Sequence, residues 1–243
     1  MVKNIGIPDP QNADPTERTP LMYLSHYISQ LRYILYMAPG LLLAIVCHEC
    51  AHGLMSDRLG DPTPRASGRL TLNPLKHLDP LGTFCLLFFQ MGWAKPVSIH
   101  PGYYKNRRTG TILVSLAGPA ANLILAFLSM LIEGLLLLYA PANSVLIQTL
   151  ILVTWYCAVI NVGLGVFNLI PLPPLDGSHV LGELIPGVAD LYRRFLPYWS
   201  IILIVLLASG ALSAPLSLLD NAVLTGLQRL VYAILMRLPT GVI

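Results

Sequence analysis

The stretch Tyr33–Ser56, YILYMAPGLLLAIVCHECAHGLMS, decides how the rest of the chain is interpreted. It is long enough for a membrane-spanning helix, which needs about 20 predominantly apolar residues. His48, Glu49 and His52 nevertheless place three ionisable groups in this apolar run. The least favourable of such groups cost roughly 2.5–3.5 kcal/mol at the centre of a membrane helix, so three together indicate a functional use.

The composition of the whole chain also indicates a membrane protein. Of 243 residues, 55% are hydrophobic and only 11% are charged, and the mean hydropathy is +0.65. A soluble globular domain carries roughly a quarter charged residues, because its surface faces water. We therefore predict an all-α integral membrane protein, a polytopic helical bundle. The net charge of +3, without a basic stripe among aromatics, predicts no nucleic-acid partner.

Hydrophobic runs and polar links divide the chain. An N-terminal tail and interfacial lead-in (1–32) precede a membrane core (33–197) and C-terminal membrane segments (198–243). Two features stay open, because run 80–93 is either re-entrant or a short tilted span, and run 219–238 either spans or lies in the interface. Residues 171–197 are predicted to be a Pro-rich, charged loop. The hydrophobic runs number five or six, at 33–56, 80–93, 110–140, 145–170, 198–218 and 219–238.

The positions of the Lys and Arg residues indicate which segments lie on the cytoplasmic side. They cluster after the first long run, after run 80–93 and in the Pro-rich loop. If all three clusters are cytoplasmic, run 80–93 must enter and leave on one side, and the N-terminus lies outside. The tendency of Lys and Arg to remain in cytoplasmic loops favours this arrangement, although a strained short span is not excluded.

The three ionisable groups have the spacing of a metal site. Residues four apart on a helix lie about 40° apart around its axis, so His48 and His52 face the same way. Two imidazoles so placed can bind one zinc ion. Glu49 lies about 60° from His52 on this wheel and can reach a zinc-bound water as a general base without being a ligand. Cys47 and Cys50 lie on the other side and are predicted to be packing residues.

A third ligand is predicted far along the chain. Residues 168–177 read NLIPLPPLDG, and their three prolines end the preceding helix. Backbone freed in this way is tolerated at membrane depth only beside protein or water, so Asp176 should lie beside a polar cavity. Alone it would be an ordinary turn residue, but with the histidine pair it completes a zinc site inside the bundle, with one position open.

The motifs His48–His52 (H-E-x-x-H) and 168–177 (N-x-x-P…L-D-G), with Gly118-Pro119-Ala120-Ala121-Asn122 between them, resemble the site-2 protease family of intramembrane zinc metalloproteases. The resemblance implies Zn²⁺ held by His48, His52 and Asp176, Glu49 as catalytic base, and cleavage of peptide bonds within or near the membrane. It implies that Asn168 holds substrate or stabilises the oxyanion. Asn122 is a weaker candidate for the same role toward substrate or oxyanion. Its alternative role is to form an interhelical hydrogen bond beside Gly118.

The chain departs from larger members of that family. The link 140–145 has no room for a PDZ domain, and we expect no regulatory domain after the last helix, as in a compact branch. Run 80–93 either lines the path of the substrate or packs against the core. Partners are expected to be a membrane-protein substrate and the lipid bilayer. We expect a multi-pass protein of a bacterial cell membrane, with its active site nearer the cytoplasmic face. The sequence does not determine the oligomeric state.

Two other classes of protein are alternatives to a protease. A metal-ion transporter would also place His, Asp and Asn in the membrane, but it needs neither Glu49 beside the first histidine nor an open zinc position. A catalytically silent scaffold would not need Glu49 either. His26, His77 and His100 are predicted to be surface residues, and His179 is a weaker candidate for contact with a zinc ligand.

Overall fold

A computed structural model describes residues 20–79, 82, 94–141 and 143–238, with backbone alone at 20–22, 25, 26 and 30. The tail 1–19, the side chain of His26 and nearly all of run 80–93 lie outside the described residues. In the described ranges the helices are α1 Pro20–Arg58, α2 Thr63–Ala66, α3 Arg107–Tyr139, α4 Val145–Asn168, α5 Asp176–Leu184, α6 Pro186–Arg194, α7 Trp199–Ala208 and α8 Ser213–Leu235.

The all-α membrane class is confirmed. Four of the described helices are long and apolar enough to cross a membrane, at Tyr27–Arg58, Arg107–Tyr139, Val145–Asn168 and Ser213–Leu235. A fifth crossing would require the bent pair formed by α6 and the segment Leu196–Ala208. Within the described ranges, the only β-pairing is an isolated antiparallel bridge between Leu78 and Ala94.

Helix α1 joins two segments that the sequence separates. The interfacial lead-in and the first span form one continuous helix of 39 residues, with Pro39 inside it. Helix α3 begins beside a side chain that caps it, since Asn106 Oδ1 accepts the backbone N–H of Thr109 at 3.0 Å. Both helices exceed the roughly 30 Å of hydrocarbon that a helix must cross, so each extends past the apolar layer or tilts.

Two predicted boundaries near the C-terminus are wrong. The segment 171–197 is not a loop throughout, because it contains α5 and α6. The predicted span 198–218 is interrupted, since α7 ends at Ala208 and Gly210 adopts a φ of +73°. Glycine takes this left-handed conformation without steric cost, which stops the helix there. The open segment 219–238 therefore belongs largely to α8, which starts at Ser213 and could span.

Helices α1, α3 and α4 contact one another and form the centre of the bundle, while α8 packs on α3 and α4. The first half of α8 packs on Val162 and Val166 near the end of α4, and its second half packs on Ala158. Helix α8 therefore begins at the end of the bundle where α4 ends. Because of this, the pair α6–α7, bent by 67°, is placed to enter and leave on one side.

Candidate metal centre

Helices α1 and α5 bring three donor atoms together. His48 Nε2 and His52 Nε2 lie 3.0 Å apart, one helical turn from each other. Asp176, the first residue of α5, places Oδ2 at 3.2 Å from His48 Nε2 and 3.3 Å from His52 Nε2. Within the described residues this is the only group of three His, Cys, Asp or Glu side chains that could hold a metal ion, and it includes neither Cys47 nor Cys50.

Helix α3 orients both imidazoles. His48 Nδ1 lies 2.6 Å from Asn122 Oδ1, and His52 Nδ1 lies 2.7 Å from the carbonyl oxygen of Val114. Both oxygens only accept hydrogen bonds, so each Nδ1 carries the proton. In the neutral imidazoles each Nε2 then bears a lone pair, directed toward Asp176. This fixed tautomer is the usual arrangement of histidines that bind a metal.

Asn122 belongs to a buried network of amides. Its Nδ2 donates to the carbonyl oxygen of Ala44 at 3.1 Å and to Asn161 Oδ1 at 2.9 Å. Asn161 in turn donates to the carbonyl oxygen of Cys157 at 2.8 Å. Both asparagines are fully buried, and the amide hydrogens of Asn122 are used within the bundle. The structure thus contains the interhelical hydrogen bond that was the alternative for Asn122, beside His48.

Local backbone contacts fix the start of α5, and with it Asp176. The N–H of Ser178 donates to the carbonyl oxygen of Leu175 at 3.0 Å, and its hydroxyl donates to the same oxygen at 2.7 Å. Gly177 backs onto the carbonyl oxygens of Leu169 and Ile170, where a Cβ would collide. The Pro-rich turn after α4 is thereby packed against the first turn of α5, and the carboxylate projects toward α1.

Gly118 leaves the space that the two imidazoles occupy. A Cβ at this position would lie 2.5 Å from His52 Nε2 and 2.7 Å from His48 Cε1, closer than real contacts allow. Gly118 is buried in α3, one turn before Asn122. Helix α3 therefore contributes both room for the histidines and the groups that orient them.

The donor atoms fit a zinc ion. Zinc–ligand distances of about 2.0–2.1 Å in a tetrahedral site separate neighbouring ligand atoms by about 3.3 Å. The triangle here has sides of 3.0, 3.2 and 3.3 Å. Asp176 Oδ2 is buried and makes no hydrogen bond with the described residues. Three electron-rich atoms at this spacing repel one another unless a cation lies among them, so the chemistry of the set matches a metal site.

Glu49 is held by the segment that follows run 80–93. The backbone N–H of Val97 donates to Glu49 Oε2 at 3.0 Å. At one end of this segment, Lys95 N–H donates to the carbonyl oxygen of His77 at 2.8 Å. At the other, His100 N–H donates to Asp61 Oδ2 at 2.7 Å. An extended piece of backbone, fixed at both ends, therefore orients the carboxylate.

One histidine prediction is wrong. His77 is fully buried, with Nε2 lying 2.7 Å from the carbonyl oxygen of Thr71, and it is not a surface residue. This contact folds the loop after α2 back on itself. The burial of His77 was missed because its neighbours in the sequence are polar. His100 and His179 are exposed.

Asn168 is the last residue of α4, and its side chain donates to the carbonyl oxygen of Leu164 at 2.9 Å, within the same helix. Its role toward substrate stays a prediction. Three groups with a part in the site were missed: Asn161, the carbonyl of Val114 and the N–H of Val97. Only Asn161 left a signal, a polar side chain inside an apolar span.

Comparison with known proteins identifies the family of the chain. The family model of peptidase family M50, the site-2 protease family, matches residues 132–209, a range that includes Asp176. YwhC of Bacillus subtilis is 38% identical over 175 residues, which cover 70% of this chain and 79% of the relative. Rip2 of Mycolicibacterium smegmatis is 34% identical over 192 residues, covering 74% and 69%. Both relatives are named as zinc metalloproteases. No solved structure gives a significant match.

The two relatives are matched over more than two thirds of their own length, and the aligned share is also more than two thirds of this chain. This confirms the resemblance drawn from the motifs. With its apolar helices and convergent His-His-Asp group, the chain belongs to the site-2 protease family, as a multi-pass membrane zinc metalloendopeptidase.

Proposed function

We propose that the protein hydrolyses peptide bonds of membrane-spanning or membrane-adjacent proteins, with His48, His52 and Asp176 as the zinc ligands and Glu49 as general base. The observation that carries the proposal is the triangle of donor atoms, with sides of 3.0, 3.2 and 3.3 Å, which joins two histidines of α1, a helix apolar enough to span a membrane, to Asp176 of α5. A bound zinc ion acts as a Lewis acid on the scissile carbonyl and lowers the pKa of a water molecule to about 7.

Glu49 moves the proton in this mechanism. Its Oε2 accepts the N–H of Val97, which helps to orient the carboxylate, and Oε1 accepts the proton of the attacking water. The same carboxylate then passes that proton to the leaving amine. His48 and His52 keep their lone pairs on the metal side because Asn122 and Val114 accept from the opposite nitrogens.

The substrate must expose an amide that a helix would shield. In a transmembrane helix each backbone amide is hydrogen-bonded within the helix, so the substrate has to unwind locally before cleavage. Helix-weakening residues near the cleaved bond are therefore expected, since Gly and Pro lower the cost of unwinding. We propose that Asn168, at the end of α4, binds the unwound segment or the developing oxyanion.

The active site is proposed to lie near the cytoplasmic face of a bacterial cell membrane. His52 is only six residues before Arg58, where α1 ends. Arg65 and Arg69 follow in the next segment, and such basic residues are typical of cytoplasmic loops. Water then needs only a short path to the metal, which matters because the hydrocarbon layer excludes it.

A cleavage assay tests this function. Wild type and Glu49→Gln are each co-expressed with a membrane protein that has a tagged cytoplasmic end, and release of the tag is followed. We expect Glu49→Gln to lower cleavage by roughly 10²- to 10⁴-fold, the usual effect of removing a general base. Equal cleavage by both forms would contradict the proposal, as would metal flux into vesicles without cleavage of any substrate.

Metal content of the purified protein separates the roles of the residues. His48→Ala is expected to lose zinc, because it removes one of three donors, whereas Glu49→Gln should retain about one zinc per chain. If Glu49→Gln lost zinc as fully as His48→Ala, Glu49 would be a ligand, and its proposed role as base would be wrong.

A further inference from the structure

A cavity with one carboxylate lies in the bundle far from the metal centre. It is a partly open cavity of about 400 Å³ between α3, α4 and α8. Leu137, Leu235 and other apolar side chains form most of its wall, and Glu133 is the only acidic residue in it. Glu133 is eleven residues after Asn122 on α3, about 16 Å along the helix, so the cavity is separate from the catalytic zinc site.

The Glu133 carboxylate has no partner among the described residues. It makes no hydrogen bond with them, and none of their salt bridges includes it. Ionisable side chains on membrane helices usually pair with another group or face a polar cavity, and they mark functional sites. The cavity therefore contains an unmatched acceptor that a cation or a hydrogen-bond donor would satisfy.

The position of Glu133 along α3 corresponds to the depth of lipid headgroups. Helix α3 has 33 residues, or about 50 Å, against roughly 30 Å of hydrocarbon. Its midpoint is Leu123, and Glu133 is ten residues, or about 15 Å, beyond it. If the helix is centred in the bilayer, Glu133 lies where the hydrocarbon layer ends and headgroups begin.

We propose that this cavity binds a membrane lipid whose headgroup carries a primary ammonium. Such a group has three N–H donors, and the cavity offers it the Glu133 carboxylate and, from α8, the side chains of Gln228 and Tyr232. Trp155 adds an aromatic ring to the wall, and aromatic faces attract cations. The acyl chains then extend from the headgroup toward the centre of the bilayer, along Met130 and Val231 in the wall.

Charge and hydrogen bonding select this headgroup over the other common ones. A quaternary ammonium, as in phosphatidylcholine, has no N–H to donate to Glu133. A headgroup with only phosphate and hydroxyls, as in phosphatidylglycerol, carries a net negative charge and is repelled by the carboxylate. The proposal does not depend on the protease mechanism, because none of the catalytic or metal-facing residues lines this cavity.

Native mass spectrometry of the full-length protein in detergent tests the site. The protein is mixed with phosphatidylethanolamine, phosphatidylcholine or phosphatidylglycerol of identical acyl chains, and the bound fraction is measured. Because a charge-assisted hydrogen bond supports the preferred headgroup, we expect roughly tenfold tighter binding of phosphatidylethanolamine than of the other two. Glu133→Gln should remove most of this preference.

Two further variants keep the test decisive. Asp190→Asn removes a carboxylate from the exposed face of α6 and should leave the preference at the wild-type level. Tyr232→Phe removes one hydroxyl and should lower the preference by a smaller factor, even if Glu133→Gln is poorly folded. Equal binding of all three lipids by wild type would overturn the proposal. A wild-type preference retained by both cavity variants would overturn it equally.

Discussion

At the scale of single residues, helix α3 contributes to the candidate metal centre without supplying any of its three donor atoms. Asn122 accepts from His48, and the carbonyl of Val114 accepts from His52. The acceptor for His52 is a backbone carbonyl, which is present whatever side chain residue 114 carries. The acceptor for His48 is the Asn122 side chain, which a substitution removes. The two histidines therefore differ in how far a substitution can disturb them.

We predict that Asn122→Leu lowers zinc affinity by roughly 10- to 100-fold, the usual cost of removing a hydrogen-bond partner from a metal-binding histidine. Without Oδ1, His48 loses the acceptor that fixes its tautomer and ring orientation. Competition with a zinc-binding dye measures this affinity. Asn168→Leu is the matched control, since it removes an asparagine amide from the end of α4, and it should keep the wild-type zinc affinity.

The reverse outcome would support the family-based role of Asn122. If Asn122→Leu bound zinc as tightly as wild type but cleaved substrate slowly, its amide would act on the substrate or oxyanion. Its complete burial and its hydrogen bonds to Ala44 and Asn161 argue for the effect on zinc.

We predict that Gly118→Ala abolishes zinc binding while the helices remain folded. The added methyl group would lie 2.5 Å from His52 Nε2, so the imidazoles must move away from Asp176. Alanine favours a helix more than glycine does, so α3 itself should not be weakened. Circular dichroism and zinc content of the purified variant provide the check. Gly163→Ala, on α4 with open space around its Cβ, is the control and should bind zinc normally.

At the scale of elements, the sequence predicted what depends on a continuous apolar run. Helices α3 and α4 begin and end within a few residues of the predicted runs 110–140 and 145–170, because lipid requires every backbone group to be bonded within the helix. The break at Gly210 was missed because the residues on both sides are apolar, so hydropathy does not detect it. The short helices α5 and α6 were missed because prolines and charges dominate their surroundings.

The candidate site was predictable only where its residues can be recognised from the sequence. The histidine pair and Asp176 carry their own signal of residue type and spacing. The backbone groups of Val97 and Val114 have no side-chain signature, and only the packing of the chain brings them to Glu49 and His52. Burial of His77 likewise follows from the fold of its loop.

Asp61 connects the end of α1 to the segment that holds Glu49. Its carboxylate is fully buried and accepts from Ser56 Oγ at 2.8 Å, from Thr63 N–H at 3.0 Å and from His100 N–H at 2.7 Å. Burial alone would raise the pKa of Asp61, but these hydrogen bonds outweigh it and hold that pKa below its ordinary value.

We predict that Asp61→Asn destabilises the protein by about 2 kcal/mol at pH 7, because an amide cannot accept all of these hydrogen bonds. Since the pKa of Asp61 is lower in the folded state, its contribution is fully present above the unfolded pKa of about 3.9. The contribution is lost as the pH falls through the folded pKa. Thermal unfolding in detergent should therefore show a gap between wild type and variant that narrows in strong acid.

The exposed ion pair of Asp190 and Arg193 provides the comparison for this experiment. Asp190→Asn should change stability by less than about 1 kcal/mol, as surface pairs usually do. A gap for Asp61→Asn that stayed constant down to pH 2 would show that the ionised carboxylate is not what stabilises this region.

At the scale of the whole molecule, the arrangement of α8 determines how the C-terminal half crosses the membrane. Its first half packs near the end of α4 and its second half near Ala158, so α8 runs antiparallel to α4. With α6 and α7 returning to the side they left, the segments Tyr27–Arg58, α3, α4 and α8 cross in alternation. The basic residues after α1 and at the end of α6 then fall on one side, as expected of cytoplasmic segments.

We predict that Arg194 and Ser209 lie on the cytoplasmic side, whereas Asn143 and Arg237 lie on the opposite side. Each is changed singly to Cys in a chain whose native cysteines (47, 50, 85 and 157) are replaced by Ser, and intact cells are treated with a membrane-impermeant maleimide. Only the variants at 143 and 237 should react before the cells are opened. Reaction at 209 but not at 194 would mean that α6 and α7 cross the membrane together as a fifth span, and the antiparallel placement of α8 would then be wrong.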